Sequence, residues 1–277
     1  MRRLKGKRGS GSGVRLLGII LLIVLVLNLS PLLVMVSISL KGEGSVLRSL
    51  CDLIPERITL RHYWELLTSG RFARYFLNSA IVALLVVGGN LVLAPMAAYA
   101  LLRSGLRFTR LLLLLVIATM MIPKHIMMIP LFTMLYRMEL IDTYFALVLP
   151  FLVDAFNVFF VYQYLKALPR EIEEAAFMDG AGLGGTFFRV VFPMLKPALA
   201  VVATNTFLIN WNSFLLPFIL TSSDRVRTLP VGLAIFAQGE HSTDWSLLMA
   251  GSVLAAVPTI LLWIRSQRIA QSILVSR

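Results

Sequence analysis

Charge is what this chain has least of. Asp, Glu, Lys and Arg make up only 14% of it, roughly half the share of a soluble domain. Acid is the scarcer sign, with 14 Asp and Glu against 26 Lys and Arg. The single cysteine, Cys51, excludes an internal disulfide framework and a cysteine-based metal site, and it reads as an incidental loop residue. Three histidines, His62, His125 and His241, stand at no metal-ligand spacing. No GxxxxGK(S/T) phosphate loop, HExxH or GxSxG is present, so nothing in the chain should bind or hydrolyse ATP. The net charge of +12 does not point to nucleic acid, because the basic residues are scattered and form no basic helix or aromatic-interleaved patch.

Apolar residues are what remains. They make up 58% of the chain, and mean hydropathy is +0.84. Several runs reach the roughly 20 residues that cross a bilayer core. The basic opening MRRLKGKRG resembles a signal peptide, but the apolar run at 14–40 is too long and lacks a small-residue cleavage site. Hydropathy predicts six spans, at about 14–40, 78–102, 111–135, 143–165, 197–221 and 247–265.

An even number of spans places both termini on one side. If that side is the cytoplasm, sixteen of the 26 basic residues lie inside, as the positive-inside rule asks, although the first external loop carries six. The expected plan is a basic cytoplasmic N-terminus (1–13), a first transmembrane helix (14–40) and an external loop (41–77). A core of five transmembrane helices (78–270) follows, with a cytoplasmic polar loop at 166–196, and a cytoplasmic tail (271–277). In the first external loop, ITLRHYWELL predicts a surface helix with Tyr63 and Trp64 at headgroup level.

The polar loop reads LPREIEEAAFMDGAGLGGTFFRVVFPMLKP from Leu168 to Pro197. Pro169 suits a helix start, and Glu171, Glu173 and Glu174 offset the positive end of the helix dipole. Asp179-Gly180 is the stop signal. Glu171, Glu174, Ala175 and Met178 share one helical face, where small alanines admit another protein's surface.

The spacing of Glu174-Ala175-Ala176, three residues, Gly180, nine residues, then Val190-Val191-Phe192-Pro193 resembles the EAA loop of ABC importer permeases. Val190 and Phe192 stand for the usual Ile and Leu. RYFLNSAIVALL, IPLFTMLYRMELIDTYFALVLPF, INWNSFLLPFIL, TLPVGLA and DWSLLMAGSVLAAVPTILLW resemble the carbohydrate-uptake branch, of maltose permease G type. The resemblance covers most of the chain from about Pro55 onward. Two departures are Ser213, where relatives usually carry Asp after Trp-Asn, and the tail IAQSILVSR, which lacks a Gly-Leu-Thr-type end.

The resemblance implies an all-α, polytopic membrane protein with six transmembrane helices, in the type I ABC importer (MetI-like) architecture, in a bacterial inner membrane. It implies that Glu171, Glu173, Glu174, Ala175, Ala176, Met178, Asp179, Gly180 and Pro193 form the loop that engages a cytoplasmic ABC ATPase dimer. It also implies a second permease subunit, in a heterodimer, and an extracytoplasmic solute-binding protein. ATP and Mg would sit in the partner ATPase; this chain would bind no cofactor and be no enzyme. The implied cargo is a sugar or sugar-like solute. The alternatives are a phosphodiester or peptide importer and an ATP-independent secondary carrier.

Lys124 and Asp154 are the charged residues expected near mid-bilayer, where a lone charge costs about 2.5–3.5 kcal/mol. They are expected to pair across spans three and four or to line the pathway. Asn157, Asn210, Trp211 and Asn212 are candidate pathway residues, since amide and indole groups suit hydroxyl-rich ligands; interhelical hydrogen bonding is the competing role. Pro31, Pro95, Pro123, Pro130, Pro150, Pro217 and Pro258 distribute proline over all six spans, where each can free a backbone carbonyl.

Overall fold

The computed structural model describes residues 11–42, 54–55, 57–103, 105, 107–236 and 244–275, with side chains described for 15–266 of these. Cys51, His241 and the basic leader at 1–10 lie outside the described residues.

The described chain is helical, without strands, and divides into two bodies. One comprises the chain to Thr68 together with 237–254. Its α1 (Gly11–Ser39) is apolar on every side, and Leu16 through Leu27 expose about half or more of their apolar surface. A helix of this kind needs lipid around it. The expected surface helix is α2 (Arg61–Thr68), with Trp64 outward. His62 is buried, its Nε2 3.0 Å from the Lys41 carbonyl, and Tyr63 meets Ser39 through their hydroxyls at 2.7 Å.

The other body comprises 69–236 and the chain from Ala255. Its axis is α3 (Arg71–Arg103), about 50 Å long at 1.5 Å per residue. It is followed by α4 (Thr109–Met120), α5 (Met128–Arg137), α6 (Tyr144–Val148), α7 (Ala155–Lys166) and α8 (Glu171–Met178). Then come α9 (Leu183–Met194, with a π-helical stretch at Phe187–Val191), α10 (Lys196–Trp211), α11 (Leu215–Leu220) and α12 (Leu229–Phe236), and α13 (Trp245–Val275) belongs to this body from Ala255 onward. Ala94 and Ala98 of α3 are fully buried against Val158, Val161, Phe187, Val191 and Val202. Small side chains there let helix axes approach closely.

Among the described residues four helices are long and apolar enough to cross a membrane: Arg15–Ser39, Arg71–Arg103, Tyr144–Lys166 and Trp245–Ser266. The count is five if α9 and α10, bent by 75°, are one span. The third expected segment, 111–135, is divided into α4 and α5 by non-helical backbone at 121–127. Pro123 accounts for the break, because it has no N–H to give and its ring obstructs the preceding turn. Helical periodicity and hydropathy alone do not register that interruption.

Around the N-terminal turns of α3, a polar cluster fastens the segment after α11. Asn78 Nδ2 donates to the Arg225 and Arg227 carbonyls at 3.0 and 2.9 Å, and the Tyr144 hydroxyl donates to Asn78 Oδ1 at 2.6 Å. Ser79 Oγ accepts the Leu229 amide at 2.7 Å. The Tyr75 hydroxyl donates to Asp224 at 2.9 Å, and Arg227 pairs with the same carboxylate. A Cβ on Gly232 would overlap the Tyr75 ring, so α12 needs glycine there. Asp142, in the left-handed region at φ +61°, accepts the Ser222 and Ser223 amides at 2.8 and 2.9 Å.

Burial alone would raise the Asp142 carboxyl, but hydrogen bonds from Ser223 and Ser222 and the charge of Arg227 outweigh it and hold the pKa below the ordinary value. The Tyr75 hydrogen bond, with Arg227, likewise lowers Asp224. A depressed carboxylate stabilises the fold above its unfolded pKa of about 4, and that stability is lost as pH falls through the folded value. Thermal unfolding in detergent is therefore expected to show a lower Tm at about pH 3 than at about pH 6. The drop should be smaller in an Asp142→Asn, Asp224→Asn variant; an equal drop in both proteins would show that other groups set the acid sensitivity.

Candidate functional site

The polar loop folds as α8, and its ends follow from its residue types. Three glutamates occupy its first turn. At its end Gly180 takes φ +83°, and the Gly180 and Ala181 amides return to the Phe177 and Ala176 carbonyls at 3.0 Å each. Glu171, Glu174, Ala175 and Met178 all point outward, Met178 being 88% exposed. Asp179, Gly180 and Pro193 are exposed and Ala176 is half-buried.

Glu173 departs from the expected grouping. It faces the opposite side of the helix, is 6% exposed, and is bound into the protein. Arg103, the last residue of α3, donates to its Oε1 from Nε at 3.0 Å and Nη2 at 2.7 Å, and Nε also reaches Oε2 at 3.1 Å. The Tyr99 hydroxyl donates to Oε2 at 3.2 Å. Glu173 is thus an anchor, and the outward face consists of the other three acidic and small-residue positions plus Met178. Arg103 and Tyr99 escaped sequence reasoning because a basic residue at a span end reads as an ordinary topology signal.

The second feature is a cavity of about 910 Å³ beside the α4–α5 break, lined by α4, α5, the turn before α7, α10 and Leu216. Its wall is apolar and includes Met120, Met127 and Met134, with Thr119, Lys124, Asp154 and Asn205 as polar points. Irregular backbone at membrane depth is tolerated where it lines a cavity, and 121–127 does so here. Lys124 Nζ lies 2.7 Å from Asp154 Oδ2, with the lysine side chain 58% exposed. The other carboxylate oxygen of Asp154 caps α7 by accepting the Phe156 amide at 2.9 Å.

Behind Asp154 sits a buried polar knot. Asn90 of α3 accepts the Asp154 amide and Asn157 Nδ2 on its Oδ1, both at 2.9 Å, and donates to the Phe151 carbonyl at 2.7 Å. Asn157 also donates to Thr206 Oγ1 at 2.8 Å. Two expected pathway residues are therefore reassigned. Asn157 is 1% exposed and works between helices. Trp211 is 3% exposed, stacks on Phe207, meets Phe76 edge-on and donates its indole N–H to the Ala255 carbonyl at 2.9 Å, so no ring face is left for a sugar. Asn210 and Asn212 turn their amide nitrogens back to the Thr206 and Leu208 carbonyls at 2.8 Å; only Asn212 is exposed. An asparagine in the middle of α3's apolar run was the available signal for Asn90.

Long apolar helices, an outward-facing polar helix and a cavity define a helical multi-pass membrane protein. A family model described as the binding-protein-dependent transport system inner membrane component matches residues 89–273, and the chain belongs to that family. It is a membrane permease of such systems and not an enzyme. It is 34% identical over 241 residues to the arabinooligosaccharides transport system permease protein AraQ of Halalkalibacterium halodurans, covering 86% of each chain. To the diacetylchitobiose uptake system permease protein NgcG of Streptomyces coelicolor it is 33% identical, covering 90% of this chain and 83% of that one. A crystal structure of a bacterial ABC transporter involved in the import of the acidic polysaccharide alginate matches with a TM-score of 0.82 at 24% identity, covering 94% of this chain and 98% of that one. The fold is that of ABC importer permeases.

Asp154 has two duties that substitution separates. Asn caps a helix about as well as Asp, whereas Ala costs about 1 kcal/mol at such a position. Asp154→Asn is expected to lose only the contact with Lys124, and Asp154→Ala to lose about 1 kcal/mol more in denaturant unfolding. Equal losses would remove the capping role. In a charge-swapped Lys124→Asp, Asp154→Lys protein the pair can re-form but the cap cannot, so partial recovery over the single variants is expected.

Proposed function

We propose that this chain forms one half of the pathway of a binding-protein-dependent ABC importer that moves a saccharide across a bacterial cytoplasmic membrane. The observation that carries the reading is the outward face of α8, in which Glu171, Glu174, Ala175 and Met178 are exposed while Glu173 holds the helix in place. Acidic side chains beside the small Ala175 suit the basic rim of a cleft in an ATPase subunit. In this reading both termini and α8 are cytoplasmic, and the 41–77 loop and the segment after α11 are external. ATP and Mg belong to an ATPase dimer, a second permease supplies the other half of the pathway, and a solute-binding protein delivers cargo from outside.

Saccharide is the favoured cargo because the relatives named above carry arabinooligosaccharides and diacetylchitobiose. The cavity is compatible with it, since about 910 Å³ is room for an oligosaccharide segment and Thr119, Lys124, Asp154 and Asn205 offer polar contacts. Closure of the ATPase dimer would draw the α8 helices together, open the pathway outward to receive solute, and reset it after hydrolysis. Lys124, Asp154 and Asn205 are the groups proposed to meet that solute.

Mild-detergent purification of the tagged chain, followed by mass spectrometry, is expected to yield an ABC ATPase and a second permease in stoichiometric amounts. Uptake assays with labelled arabino- and chito-oligosaccharides, a phosphodiester and a peptide then identify the cargo class. Glu174→Lys, on the exposed face, is expected to abolish ATP-driven uptake in correctly inserted protein. Isolation of the chain alone, with uptake independent of ATP, would replace this reading with that of a secondary carrier.

A further inference from the structure

We infer that the buried Arg103–Glu173 pair, with Tyr99, is the joint through which α8 moves the rest of the protein. The inference rests on the importer reading and deepens it. A helix of eight residues, about 12 Å long, cannot transmit force through its exposed face alone. It must be gripped from behind.

On the inner side, Glu173 is the polar side chain of α8 that binds another span. Its carboxylate receives two hydrogen bonds on Oε1 and two on Oε2 from residues a turn apart on α3. The forked guanidinium meets the carboxylate in two parallel contacts, which fix direction as well as distance. The Arg103 and Glu173 side chains are 10% and 8% exposed, so the contact is shielded from water and breaking it strands a buried charge. Around it, Tyr99 packs on Phe187 with centroids 5.0 Å apart, tying α9 to the same point. A displacement of α8 therefore pulls on α3. The far turns of α3 hold Asp224, Arg225, Arg227 and Leu229 through Tyr75, Asn78 and Ser79, so one helix links the two ends of this body. Arg103, Tyr99 and Glu173 are positioning residues: they contact one another and α9 and do not line the cavity.

The test uses the whole transporter, with its ATPase, second permease and binding protein, reconstituted in proteoliposomes. In Glu173→Gln, Arg103→Ala and Tyr99→Phe proteins the ATPase is expected to co-purify as in wild type, since the outward face is untouched. Solute moved per ATP hydrolysed should fall at least about tenfold in the first two and by less in the third. The Arg103→Glu, Glu173→Arg swap should restore the ratio in part. Assembled variants that keep the wild-type ratio would overturn the inference, as would loss of the ATPase from every variant, which would make Glu173 a docking residue. Failure of the wild-type chain itself to bind an ATPase would instead defeat the importer reading.

Discussion

Inside a bilayer there is no water to complete a hydrogen bond, and α3 is where this chain meets that constraint. The helix places Asn78, Ser79 and Asn90 on its buried side, and a stranded amide or hydroxyl there costs several kcal/mol. Each takes a backbone partner from an irregular stretch or a helix start, and Asn78 and Asn90 also take a side chain from a neighbouring helix. Asn78 and Ser79 serve the backbone at 225–229, and Asn90 serves the turn that leads into α7. The irregular stretches are held because α3 supplies the partners they lack. Around α3 the close packing of Ala94 and Ala98 completes the arrangement without polar groups.

Two of the ion pairs of this body, Lys124–Asp154 and Arg103–Glu173, differ in consequence. Lys124–Asp154 opens onto the cavity, and the lysine is mostly exposed. Such a pair contributes little net stability, because water competes for both charges. It can open and re-form at small cost, which suits the pathway role proposed for it. Arg103–Glu173 lies in the opposite regime. Desolvation makes it costly to assemble, and the same burial makes it costly to break. Within one chain, exposure separates a contact that can yield from one that holds.

The break at 121–127 belongs to the same logic. A membrane helix interrupted toward lipid would expose unpaired carbonyls and amides. Here the interruption lines the cavity, so it creates a cavity wall rather than a defect, and it brings Lys124 to Asp154. Hydropathy counts 111–135 as one span because hydropathy weighs composition and not the direction in which a backbone group points.

The sequence by itself determined that this chain is a bundle of apolar helices for a membrane, and that one polar helix interrupts them. Both are local: a run of Leu, Ile and Val has no stable place in water, and Glu171 to Gly180 carries its own start and stop. Helical periodicity also placed Glu171, Glu174, Ala175 and Met178 on one face. Only the tertiary structure decided which polar residues face inward. Glu173 is adjacent to Glu174 and chemically identical, yet it turns to Arg103, seventy residues earlier in the chain. Trp211 and Asn157, which suit a sugar by chemistry, are consumed by Ala255, Asn90 and Thr206. Those choices depend on contacts between residues far apart in sequence, and no local pattern of residue types encodes which of two equivalent side chains will find a distant partner.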